Sequence, residues 1–437
     1  MKKELLICAT LLATLTNCSS SDNPTPPPDE GTNISILAQL PDITTKISFT
    51  PNDQSDKGLI AGWQASDVIN VYAINGGSSA KGSLNFEKYP NESDKHQATF
   101  SGQLSASVSA GAKLYSFVKN TALSESGTSI TFNLSSQDGS ANGLYKCAIL
   151  YGQGTYTEGA ATNISYNYKS ATTKLTFAFP ASLTGSIKKI SLTGEGLYSN
   201  VTLNAMTGEL EGSTDGGIEI TPTSPMQITN GTAIIYTTLY PNTVTGVKAM
   251  ITMSDDELYE AEIGDLTVQT GLNVTEIAAT NITHIGKNVD LYGFIRDENG
   301  NPIADVVVSD GYTCTTTGTN GLYAMKRNSN AKFVYFSAPA DCEIPTNSAT
   351  DNSARIYTQL TKNYRYDFSL TKLPGGPEIN HTMIVLGDPQ ILAGRGVPGV
   401  SGSTLTYSFN RFKNETLADL NKTVGSISGP VYGMCMG

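Results

Sequence analysis

The sequence predicts a mainly β protein: tandem antiparallel β-sandwiches followed by one β-α-β unit. Three observations predict it. Only 15% of the 437 residues are charged, while Ser, Thr, Asn, Gly and Tyr are plentiful, a palette suited to turns and half-exposed strands. Short apolar runs of period two recur between Gly, Asn, Ser and Pro clusters from about residue 34 to 282, as expected of strands with one buried face. After Pro374-Gly375-Gly376-Pro377 the pattern changes to a continuous apolar run and then to helical spacing, which marks a parallel strand and its crossover. A chain of this length divides into about two to four domains. Its net charge of −11 and sequence pI near 4.8 disfavour nucleic acid as a partner.

The first element is Lys2-Lys3, a short apolar run from Leu5 to Leu15, then Leu15-Thr16-Asn17-Cys18. The run is too short to span a bilayer and reads as a cleaved signal peptide over 1–17. The tetrapeptide resembles the lipobox of bacterial lipoproteins, which implies diacylation of Cys18 and an envelope location, the outer membrane being expected. More than one acyl chain is needed for stable anchoring, and which membrane face is occupied stays open. Residues 18–33, with Ser19-Ser20-Ser21 and Pro26-Pro27-Pro28, cannot build a core and form a polar tether.

In the 34–282 region Ile130, Phe132 and Leu134 alternate with polar neighbours, as do Leu175, Phe177 and Phe179, each set facing a core. Trp63, the one tryptophan, lies beside such a strand and is expected in the core rather than as a stacking platform for a ligand. Gly62-Trp63, Asp67-Val68-Ile69-Asn70-Val71-Tyr72 and Ala98-Thr99-Phe100-Ser101-Gly102 resemble the fimbrillin-like families of Bacteroidetes lipoproteins. Tyr166 to Pro180, Ile234 to Pro241 and Val247 to Met253 resemble later strands of that family, Tyr166 to Pro180 opening its second half. The resemblance implies two sandwich halves, about 34–160 and 161–282. It also offers a structural or adhesive surface lipoprotein as an alternative function, with a surface glycan or protein partner unidentified. No arginine precedes Arg296, so arginine-directed processing of the kind used by fimbrial subunits has no site here.

Leu291 to Ile303 reads as strand, turn, strand, with Asn299-Gly300 able to adopt the positive φ of a tight turn. Val306 to Val308, Thr315 to Tyr323 and Lys332 to Phe336 continue a small sandwich. Gly293, Gly300, Pro302, Val308, Asp310-Gly311 and Gly321-x-Tyr323 resemble carboxypeptidase-regulatory-like modules and, more closely, the module preceding calcineurin-like phosphoesterases of Bacteroides, over 288–372. Asp305 and Asp310 suggest backbone-bonded turn residues before they suggest calcium. Cys314 and Cys342 fall in this module and leave two readings open, a disulfide or buried single thiols.

Met383-Ile384-Val385-Leu386 then forms a buried parallel strand ending at Gly387-Asp388-Pro389-Gln390. Phe409, Phe412, Leu417, Leu420 and Val424 define an amphipathic helix, and Val431 to Met436 returns as a strand. Ligands of such units sit beyond the strands' carboxyl ends, where Asp388 falls. Asp388 and Gln390 resemble the first metal motif of calcineurin-like metallophosphoesterases, Asp-x-His, with an amide in place of the imidazole, a weaker donor. The resemblance implies phosphate ester hydrolysis with two divalent ions in a full-length homologue. Residues 378–437 contain no bridging Gly-Asp and no later histidine motif, so the expected chain is the N-terminal part of such an enzyme. With its metal site incomplete it is expected to bind no ion tightly and to be inactive. His96, in a polar loop, His284, before a domain boundary, and His381, at a strand entry, are expected to be structural or solvated.

Overall fold

The computed structural model describes residues 31–41, 48–51, 59–60, 62–75, 78–118, 123–141, 143–346, 354–377, 379–387, 391 and 407–436. The chain is mainly β and arranged in several sheets. It divides into two compact units: Met1–Thr184 with Lys188–Ala249 and Ala261–Asn281, and Gly185–Ile187 with Met250–Glu260 and Ile282–Gly437.

In the first unit, seven strands close into a barrel. Asn33–Gln39 is followed around it by Thr162–Tyr168, Leu150–Thr155, Lys113–Val118, Val68–Asn75, Ser78–Lys88 and Gln97–Gln103, which pairs back with Asn33–Gln39. Closure leaves no free sheet edge. The neighbours pair antiparallel except Asn33–Gln39 with Thr162–Tyr168, which run parallel with Ile36 opposite Thr162. The alternation in the sequence fills the interior: Ile36, Val71, Phe100, Leu114 and Tyr166 meet in one buried cluster. Trp63 is buried among them, its ring edge-on to Phe100 at 5.0 Å and to Tyr166 at 5.4 Å. The expectation of a core tryptophan is met.

Ile130, Phe132 and Leu134 are fully buried and join Phe117, Tyr151, Val201 and Leu203 in a second cluster. Here the strands do not divide near residue 160. Leu123–Ser126 and Ser129–Asn133 pair into one sheet with Tyr198–Asn204 and Leu210–Asp215, and Ser136–Gln137 pairs with Ile218–Ile220. Nor does Tyr166 to Pro180 form one strand opening a second half. Thr162–Tyr168 belongs to the barrel, whereas Ala171–Ala178 lies between Thr232–Leu239 and Gly271–Ala279 in a separate three-stranded sheet. The break is at Lys169-Ser170, where the Lys169 amide donates to the Ile149 carbonyl and the Ser170 hydroxyl accepts from the Ile149 amide. Each strand alternates, Thr162–Tyr168 burying its even positions and Ala171–Ala178 its odd ones, so the phase slips at the break, yet alternation shows a buried face without showing which sheet owns it.

In the second unit, Leu291–Asp297 pairs with Leu322–Met325 and Phe368–Leu370. Val307–Ser309 pairs with Cys314–Thr316 and Phe333–Phe336, and the latter with Tyr357–Gln359. Leu291, Ile295, Val308, Tyr323, Val334, Phe336 and Leu370 form the core of this small module. The residues that carried its resemblance prove architectural. A Cβ at Gly293 would collide with the Tyr366 carbonyl oxygen, and the Tyr323 hydroxyl donates to that same oxygen at 2.6 Å. Gly300 adopts φ 84° in the turn, which glycine tolerates without cost, while Asp297 Oδ1 accepts the amides of Asn299 and Asn301.

Candidate functional site

The strand Thr382–Gly387 runs parallel to Val431–Met436, in register from Thr382 opposite Val431 to Gly387 opposite Met436. Between them lies a helix, Tyr407–Arg411, Phe412–Thr416 and Leu417–Gly425, whose middle stretch is π-helical. The Arg411 guanidinium pairs with Glu415 one turn on, at 2.8 Å. The sequence of strand, helix and parallel strand is therefore present. The expected burial is not. No residue of Thr382–Gly387 is buried, and Met383 and Val385 are 51% and 55% exposed, on the face they share with Tyr432 and Met434. A continuous apolar run signals a strand meant to be covered on both faces. A pair of strands alone supplies no second layer.

Asp388 and Gln390, the expected metal ligands, lie outside the described residues, as does Cys18. The described strand ends at Gly387. Among the described residues no group of three or more His, Cys, Asp or Glu side chains converges. The described residues therefore do not fit a two-metal group.

The histidines are spread over the chain. His96 Nδ1 lies 2.9 Å from Asp94, and exposed His284 lies 2.7 Å from Glu257. His381 packs edge-on to Tyr432 at the start of the parallel pair. Asp310 is buried, and its carboxylate accepts the amides of Tyr312, Thr313 and Asn328. Burial pushes its pKa up, but these hydrogen bonds outweigh burial and hold it below the usual carboxylate range. Its role is to fix turns, as the sequence suggested. Cys314 and Cys342 are both free, so the disulfide alternative is not formed, and of the two thiols Cys342 is buried whereas Cys314 is exposed.

Sequence reasoning missed a buried polar knot in the second unit. Glu260, 4% exposed, accepts from the Tyr292 hydroxyl at 2.6 Å and from the Arg365 guanidinium. Arg365 also pairs with Asp367 at 2.8 Å and stacks over Phe294, 4.9 Å from the ring centre, and Asp367 accepts the Phe294 amide. Burial pushes the Arg365 pKa down, but Asp367 and Glu260 outweigh it and hold it above its ordinary value. The same burial, with the Glu260 charge, raises Tyr292. Glu260 and Arg365 are separated by more than a hundred positions, and no local pattern announces their meeting.

Asp67 is the second perturbed carboxylate. It is half-buried next to the barrel core, and Oδ2 accepts only the Gln64 amide among the hydrogen bonds it forms, at 2.8 Å. Burial raises its pKa from 3.8 to about 6, the Gln64 bond acting against this. A carboxyl with a raised pKa in the fold costs stability once ionised, so its penalty is absent well below pH 3.8, grows as pH rises and is nearly complete above about pH 6. Asp67→Asn is expected to stabilise the barrel by about 1–2 kcal/mol at pH 7.5, after discounting for partial exposure. At pH 3, below the unfolded value of 3.8, it should gain almost nothing, as urea unfolding followed through Trp63 fluorescence at the two pH values will show.

Residues 290–373 match the family described as the N terminal of calcineurin-like phosphoesterase. The matched module is therefore the two-sheet body that ends just before the parallel unit. No curated protein gives a match. Solved structures similar to the chain include a candidate cell adhesion protein from Bacteroides ovatus, 15% identical, covering 58% of this chain and 96% of that one with a TM-score of 0.37. Another, from Bacteroides uniformis, is 12% identical over 57% of this chain and 94% of that one, with a TM-score of 0.35. A fimbrial assembly protein from Parabacteroides distasonis is 12% identical over 57% and 91%, with a TM-score of 0.32. Likeness of this degree decides nothing about activity.

Proposed function

We propose that this chain is an envelope lipoprotein, held by lipid on Cys18, that carries the opening β-α-β unit of a calcineurin-like phosphoesterase, with Asp388 as its first metal ligand and Gln390 beside it. One observation carries this reading: a module matching the N terminal of that family is followed directly by a parallel β-α-β unit whose leading strand runs to Gly387. A carboxylate at the carboxyl end of a parallel strand is where such sheets hold ligands. When two ions are bound in a complete centre they polarise the phosphoryl group and lower the pKa of a water. This chain's own share is narrower. Asp388 supplies one hard anionic oxygen and Gln390 one neutral amide oxygen, a donor set that suits a single, weakly held cation.

The expected outcome follows from that donor set. With bis(p-nitrophenyl) phosphate and manganese, this chain should turn over no faster than its Asp388→Ala variant. Hydrolysis that depends on Asp388 would overturn the reading of an incomplete site.

A further inference from the structure

The outer face of the module's four-stranded sheet is aromatic and uncharged. Along Phe333–Phe336 the pattern alternates, with Val334 and Phe336 in the core and Phe333 and Tyr335 outside. Register places Tyr335 opposite Tyr357, Phe333 opposite Gln359, and Val307 opposite Thr316. Directly opposed residues share a face of the sheet, so these six side chains lie on one surface. Phe333, Tyr335 and Tyr357 are 42%, 37% and 49% exposed. Phe333 and Tyr357 stand edge to face, 5.5 Å between centres. Three large exposed aromatics side by side on a β-sheet are unusual unless something covers them.

We propose that this face binds a neutral polysaccharide, with sugar rings stacked on Phe333, Tyr335 and Tyr357. The choice of occupant rests on charge and shape. In a chain of net charge −11, none of the six positions is ionisable in the physiological range. Aromatic faces carry partial negative charge, which complements the weakly positive C–H faces of a pyranose ring and has no counterpart for an anionic polymer. Strands about 4.8 Å apart, with outward residues repeating about every 6.7 Å along each, make a nearly flat platform, which suits a flat, repeating ligand. Gln359 stands beside Phe333 as a hydrogen-bonding group for sugar hydroxyls, and Val307, with Thr316 beyond it on the edge strand, extends the face away from the rings. The site is independent of Asp388 and of any phosphoesterase chemistry.

The full chain should be run in native gels containing, in turn, soluble starch, a mixed-linkage β-glucan, a mannan and a xylan. At least one polymer is expected to retard it. Phe333→Ala and Tyr357→Ala should each weaken that retardation about tenfold, while Tyr357→Phe keeps most of it. Because these side chains are exposed, thermal unfolding of the variants should match the parent. Migration unchanged by all four polymers would overturn the proposal, as would retardation that survives in the Phe333→Ala/Tyr357→Ala double variant. Self-association of the parent in sedimentation, abolished by that double variant, would overturn it in favour of a second copy as occupant.

Discussion

Arg365→Ala is expected to cost the second unit about 3–5 kcal/mol, because it leaves the Glu260 carboxylate buried without its countercharge. Glu260 is 4% exposed and keeps only the Tyr292 hydroxyl as a donor once the guanidinium is gone. The Arg365–Asp367 pair contributes little by comparison, since the Asp367 side chain is 45% exposed and solvent screens it. Hydrogen exchange reads the loss where the knot meets the sheet: the Tyr292 amide bonds the Tyr364 carbonyl and the Tyr366 amide bonds the Tyr292 carbonyl. Both amides should exchange about a hundred- to several thousandfold faster. The double variant Glu260→Gln/Arg365→Met should recover most of the stability, since an amide still accepts from Tyr292 and no charge remains buried. If the double variant is as unstable as Arg365→Ala, packing over Phe294 rather than charge holds the knot together.

Trp63→Ala is expected to destabilise the barrel by about 3–5 kcal/mol through the cavity it leaves between Phe100 and Tyr166. Its backbone is held independently, the amide by the Lys95 carbonyl and the carbonyl by the Tyr89 hydroxyl at 2.7 Å, so the loss is one of side-chain packing. Among the described residues Trp63 Nε1, which is buried, has no hydrogen-bond partner, a defect of about 1–3 kcal/mol. Trp63→Phe removes that defect along with some volume, and should cost about 1–2 kcal/mol. Chemical unfolding followed by far-ultraviolet circular dichroism ranks the three proteins; a phenylalanine variant as unstable as the alanine variant would deny the indole nitrogen any role.

The mainly β fold was legible because burial on one face of a strand leaves period two in the sequence. Ile130, Phe132, Leu134, Leu175 and Phe177 all reach the core as that period requires. The module after residue 288 was legible in finer detail, because Gly293, Gly300 and Asp310 answer to local backbone geometry that few other residues satisfy. Strand partnership was not. Thr162–Tyr168 closes a barrel while Ala171–Ala178 joins another sheet, and although their alternations are out of phase, neither names its partner strand, because alternation encodes a face and not a neighbour. The Glu260–Arg365–Tyr292 knot was invisible for a related reason: it is made by tertiary pairing of distant residues. In the parallel unit the order of elements and the direction of pairing could be read from the apolar run and the helical spacing. The continuous apolarity of Met383 to Leu386 pointed to burial, which depends on layers that a two-stranded sheet does not itself provide.

The phosphoesterase reading rests on Asp388 holding a cation at the carboxyl end of the parallel pair, and paramagnetic broadening tests this directly. The chain has nine methionines, and two of them bracket the pair: Met436 stands opposite Gly387 at its carboxyl end, whereas Met383 stands opposite Tyr432 near its start. With methyl-labelled methionine and millimolar manganese, the Met436 signal is expected to broaden well before that of Met383, and Asp388→Asn should abolish the difference. Equal broadening of the two signals, or broadening unchanged by Asp388→Asn, would contradict the assignment.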